Sequence, residues 1–269
     1  MPTHNDDLWQ GLESEYFGSI NDGNALKTMP ISTLYSSVAD NRQILDILFM
    51  IDVSGSMRGK RIAQVNYALE NIIKELRKRD DVNSAIKVGV MEFSDTAEWV
   101  TPQPVPLDDF PFTQIEAKPW ITCYAKAFDL LNEKLRREGF LDPNLGEYFA
   151  PLILFITDGE PVDTAEYPAA LERLKKNGWF NKSAKYAIAV GEEARNEEIG
   201  RALAAFTGQR ENVRYADEGD ALCSLIEFIT IRGSEVQTSM ISSGQDGTRD
   251  GISLFDQVDA SLFSNILND

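Results

Sequence analysis

The sequence has almost no histidine or cysteine. Its 269 residues include one histidine, His4, and two cysteines, Cys123 and Cys223. Two cysteines cannot make a disulfide framework, and without a C-x-x-C spacing they do not outline a zinc site. A Ser-His-Asp triad or a histidine-rich metal centre is hard to build around His4 alone. Basic residues are also scarce, 26 against 43 acidic ones, for a net charge of −17. That balance repels phosphates, so neither nucleic acid nor an anionic membrane is expected as a partner; it favours cations and basic surfaces. No run of 18 apolar residues occurs, which argues against a membrane span. Met1–Asp7 has neither a basic start nor an apolar run, so no secretory signal is expected and the chain reads as soluble and cytoplasmic.

What is present is the mix of an ordinary folded protein, 43% apolar and 26% charged. Residues 1–43 read as a polar extension with scattered apolar side chains such as Trp9 and Phe17. From Ile44 the pattern changes. Ile44–Ile51 is apolar except for Asp46, as a strand buried on both faces would be, Asp46 marking an end that stays wet. Ile62, Val65, Leu69, Ile72, Ile73 and Leu76 then recur at helical spacing. Strand and helix keep alternating, with strands at 86–93, 152–157, 186–190 and 213–215. Helices are expected at about 124–135, 165–176, 197–206 and 219–231, the last capped by Asp217. Ala97–Val100 reads as a short antiparallel edge strand. A loop through Pro102, Pro104, Pro106 and Pro111 is too broken for regular structure. This order predicts a doubly wound α/β domain over 44–232, its mostly parallel sheet covered by helices on both faces. Residues 233–269 read as a linker and a short amphipathic tail.

In such sheets ligands bind beyond the carboxyl ends of the strands, where strand order reverses. Asp52 closes the first buried strand, and Asp158 follows the strand ending at Thr157. Two carboxylates converging in one crevice repel each other unless a cation joins them. Ser54 and Ser56, alternating after Asp52, offer hydroxyls to the same point. Hydroxyl and carboxylate oxygens suit Mg²⁺, Mn²⁺ or Ca²⁺, whereas zinc prefers nitrogen or sulfur.

The set Asp52-x-Ser54-x-Ser56, a later threonine (Thr122) and Thr157-Asp158-Gly159 resembles the von Willebrand factor A (VWA) domain with its metal-ion-dependent adhesion site. The resemblance implies a site of Asp52, Ser54, Ser56, Thr122 and Asp158, with no catalytic residues. A protein partner would bring an Asp or Glu to the metal. Family members usually have small residues just before the threonine; here Trp120 and Ile121 stand there. Phe49–Met57 and Pro151–Pro161 look most like the bacterial TerY proteins of tellurium-resistance and stress operons, often found beside a kinase and a phosphatase.

Three other chemistries compete for these residues. A phosphate-binding loop fails at Gly55–Arg61, which has three residues between its glycines and Arg61 after the lysine. A haloacid-dehalogenase-type phosphohydrolase would use Asp52 and an acidic pair such as Asp158 and Asp163, but Ser54 stands where that chemistry needs an acid. A scaffold with a vestigial metal site, binding through its tail, is the third. Glu92 reads either as pairing with a base or as lying near the site, and Trp99, Trp179 and Cys123 read as packing residues.

Overall fold

The computed structural model describes residues 42–78, 84–217 and 219–242. Five parallel strands form the body of a seven-stranded sheet. They are β1 (Gln43–Asp52), β2 (Ser84–Phe93), β5 (Leu152–Thr157), β6 (Ala184–Val190) and β7 (Val213–Ala216). On the outer edge of β2 lie two short antiparallel strands, β3 (Ala97–Trp99) and β4 (Val105–Pro106). β4 arises inside the proline-rich loop, where no strand was expected. Pro106 is tolerated because an edge residue need not donate to the ladder.

Spatial order runs β3-β2-β1-β5-β6-β7, so the chain winds one way from β1 to β2 and the other way from β1 to β5. Strand order therefore reverses between β1 and β5, which opens the crevice where such sheets bind ligands. Leu45, Ile47, Phe49 and Ile51 of β1 face α1 (Lys60–Lys78) and α6 (Gly219–Ser242), while Leu48 and Met50 face the opposite helical layer. That second layer holds α2 (Tyr124–Lys134), α3 (Tyr167–Leu174), the short α4 (Gly178–Lys182) and α5 (Glu197–Thr207). A sheet covered on both faces needs apolar residues at every strand position, which is why β1 and β5 lack the alternation of a half-exposed strand.

Rings knit the second layer together. Phe93 stacks on Phe155 at 4.9 Å, Tyr124 meets Phe155 edge-on at 5.0 Å, and Phe206 lies 5.1 Å from Phe155 and 5.3 Å from Phe128. This packing fixes the first turn of α2 over the ends of β1 and β5.

Several details depart from the sequence reading. α6 continues to Ser242, so residues 233–242 are helical rather than the start of a linker. Gly233 within a helix costs about 1 kcal/mol against alanine, and apolar positions before it, such as Leu225, Ile226 and Ile229, offset that by packing on the sheet and α1. Asp46 is fully buried, not wet. The extension at 1–41 and the tail at 243–269 lie outside the described residues. Among the described residues, no helix is long and apolar enough to cross a membrane.

Candidate metal centre

The crevice between β1 and β5 gathers all five residues singled out above. Asp52, the last residue of β1, is fully buried. One of its oxygens accepts the Ser54 amide at 2.8 Å, and the other accepts the Thr157 hydroxyl at 2.6 Å. The chain then turns over Gly55–Met57, placing Ser54 Oγ and Ser56 Oγ 3.1 Å apart. Ser56 donates to Asp158 Oδ1 at 2.7 Å. A polar chain thus runs from Asp52 to the Ser54 amide, and from the Ser54 hydroxyl through Ser56 to Asp158, joining positions 106 residues apart.

Thr122 arrives from the loop between β4 and α2. Its backbone is tied on both sides: the Val162 amide donates to Thr122 O at 2.9 Å and the Cys123 amide to Ser94 O at 2.8 Å. Gly159 shows where its hydroxyl sits. A Cβ on Gly159 would stand 3.3 Å from Thr122 Oγ1 and 3.9 Å from Ser56 Oγ. A side chain at 159 would therefore press on the Thr122 hydroxyl and come into contact with that of Ser56. The bulky pair before the threonine is accommodated by pointing outward. Trp120 and Ile121 are 54% and 57% exposed, Thr122 stays buried, and Trp120 O accepts the Gly55 amide at 2.9 Å.

Two acids, Asp52 and Asp158, are buried here. Burial pushes the Asp52 carboxyl up to about 6, against hydrogen bonds from Thr157 and Ser54 that favour its ionised form; the charge of Asp158 adds to the rise. Like charges in such a place call for a cation, and one is built in. Arg61, on the first turn of α1, donates to Asp158 Oδ2 at 2.7 Å and to Ser56 O at 3.2 Å, and it also pairs with Glu193. Gly191, at φ 94°, lets the guanidinium approach, since a Cβ there would lie 2.9 Å from one of its nitrogens.

Three participants were missed by sequence reasoning. Arg61 had entered only as the residue that spoils a phosphate loop, and no local pattern marks its reach across to β6. Thr157 has no role of its own in the motif Thr157-Asp158-Gly159 as read from sequence, yet its hydroxyl holds Asp52. Tyr124 read as an apolar helix position, but its hydroxyl donates to Gly159 O at 2.8 Å from within the ring cluster. Asp163, weighed as a second phosphohydrolase acid, instead accepts the Tyr124 and Ala125 amides at 3.0 and 2.7 Å, capping α2 from a distance. Glu92 pairs with Lys118 at 3.0 Å.

The donor set fits a hard divalent ion: three hydroxyls and two carboxylates, with no group of three or more His, Cys, Asp or Glu among the described residues. Sequence comparison agrees with the fold. Residues 47–160 match the family described as the von Willebrand factor type A domain. Over these residues the chain resembles the VWA family, and it has the VWA fold. A human relative, inter-alpha-trypsin inhibitor heavy chain H6, is 28% identical over 160 residues, covering 55% of this chain and 12% of its own. Among solved structures, the pilus adhesin SpaC of Lactobacillus rhamnosus GG superposes with a TM-score of 0.56 at 12% identity over 73% of this chain and 31% of SpaC. The von Willebrand factor type A protein of Catenulispora acidiphila gives 0.52 at 13% identity, over 71% of this chain and 43% of that one. Proximal thread matrix protein 1 of mussel byssus, described with zinc in its metal-ion-dependent adhesion site, gives 0.50 at 19% identity, over 71% and 46%. At these identities the solved structures speak for the VWA fold alone, and the chain spans only an eighth of the human relative's length and under half of each structure.

Proposed function

We propose that this chain is a non-catalytic, divalent-cation-dependent protein-binding module. Ser54, Ser56 and Thr122 would hold Mg²⁺, or alternatively Mn²⁺ or Ca²⁺, and Asp52 and Asp158 would do so directly or through water. When bound, the ion supplies positive charge that neutralises an Asp or Glu offered by a partner protein. The observation that carries this reading is the polar chain from Asp52 through Ser54 and Ser56 to Asp158, with Thr122 Oγ1 beside it, at the point where strand order reverses. The zinc held by the byssus protein supports a metal at this place in the fold; the all-oxygen donors here favour harder ions.

The finer reading is a TerY-like role in bacterial tellurium resistance or stress response, in the cytoplasm, with a kinase or phosphatase of the same operon as partner. It is supported by the runs Phe49–Met57 and Pro151–Pro161. Binding is favoured over phosphoryl transfer because Ser54 stands where an acid is required and Asp163 is engaged at the α2 terminus.

Asp52→Ala tests the core of the proposal. Wild-type protein should melt several degrees higher in millimolar Mg²⁺ than in chelator, and the variant should show no such difference while keeping its circular dichroism spectrum. An unchanged Mg²⁺ response in the variant would reject the site.

A further inference from the structure

Around the crevice the surface is divided by chemistry. Six large apolar side chains stand exposed among the described residues, and three of them, Trp120, Ile121 and Val162, sit at this mouth, with exposures of 54%, 57% and 55%. They lie on two loops that are held rather than loose. The Val162 amide bonds Thr122 O, and Trp120 O accepts from Gly55, inside the turn that carries the two serines. These backbone ties fix the loops without enlisting the three side chains, so the fold itself gains nothing from keeping them in water. Exposed apolar residues that cluster beside a polar crevice mark a contact surface. Across the mouth, beyond Asp158, the exposed acids Glu160 and Glu193 stand on the loops after β5 and β6, engaged by Asn196 and Arg61.

We propose that Trp120, Ile121 and Val162 form an apolar lip for a large aliphatic or aromatic side chain next to the partner's metal-directed Asp or Glu, with a Lys or Arg of that partner facing Glu160 and Glu193. The partner is a protein segment carrying those three features together. Charge complementarity argues for it. A chain of net charge −17 repels an acidic ligand at long range, so such a ligand needs a basic flank to approach and an apolar anchor to stay. This inference rests on the metal-dependent reading above.

The probe is a random dodecapeptide display library selected on the full chain in Mg²⁺, with elution by chelator. Selected peptides should share an Asp or Glu with Trp, Phe, Leu or Ile within two positions and a Lys or Arg nearby. A synthetic consensus peptide should lose about tenfold or more in affinity against Trp120→Ser/Val162→Ser, while that variant keeps its Mg²⁺-induced thermal shift. Enrichment of acidic peptides without apolar neighbours, equal affinity for the double variant, or no enrichment at all overturns the lip. Mg²⁺-dependent self-association by sedimentation, lost in the double variant, also overturns it by giving the lip to a second copy of the chain. Failure of the underlying reading looks different: wild-type protein then shows no Mg²⁺ shift, or Asp52→Ala keeps it.

Discussion

At the scale of single residues, charge placement decides the behaviour of the crevice. Arg61 pairs with Asp158, so it would compete with the proposed divalent cation for the same carboxylate. Ser56 also holds that carboxylate, so its orientation survives without the arginine. Arg61→Gln should therefore tighten Mg²⁺ binding by about tenfold, worth about 1.4 kcal/mol, measured by titration calorimetry. Weaker binding in the variant would mean that Arg61 mainly positions Asp158. At the other end of β1, Asp46 is buried with both oxygens lacking a hydrogen-bond partner. Burial pushes its carboxyl up to about 7, and Lys87, its register partner on β2, offsets only part of that. Because the folded value lies above the ordinary 3.8, this group's stabilising contribution is complete below about pH 4 and lost as pH rises through 7. Asp46→Asn should remove that slope and be more stable at pH 8 by about 2–4 kcal/mol in denaturant titrations. Parallel pH profiles for the two proteins would contradict this.

Elements show how a site is assembled from parts distant in sequence. β1 and β5 deliver Asp52 and Asp158 because both are fully buried strands ending at the same crevice, and that much follows from their apolar runs. Asp163 belongs to this scale too. Its carboxylate closes the first turn of α2 and so helps hold the loop that carries Thr122. Asp163→Ala should cost about 1–2 kcal/mol of stability by denaturant unfolding while keeping the Mg²⁺ thermal shift. Loss of the shift with unchanged stability would move Asp163 from the helix terminus to the metal. Legibility follows the same physics. Periodicity gave the strands and most helices, since burial on one or both faces leaves a repeating apolar signature. The brief antiparallel pairing of Val105–Pro106 left no such signature, because two residues on an edge carry no period. α6 past Gly233 was hidden by a glycine–serine composition that reads as a linker, although its preceding turns pack firmly. Arg61, Thr157 and Tyr124 were illegible as site residues because their roles depend on contacts between strands, loops and helices that no local spacing encodes.

For the whole molecule, the strong negative charge and the built-in crevice belong together. In the proposed reading an ion would stand between this acidic protein and an acidic ligand, and Arg61, by offsetting Asp158, would leave part of the ion's charge at the mouth. The VWA fold supplies the rigid frame: two helical layers lock the sheet, and the loops at its carboxyl edge are tied to one another by backbone hydrogen bonds. Diffraction from Mn²⁺-soaked crystals tests this most directly. One strong anomalous peak is expected within about 2.0–2.3 Å of Ser54 Oγ, Ser56 Oγ and Thr122 Oγ1, absent from crystals of Asp52→Ala. No peak in that crevice, with manganese bound elsewhere or nowhere, would contradict it.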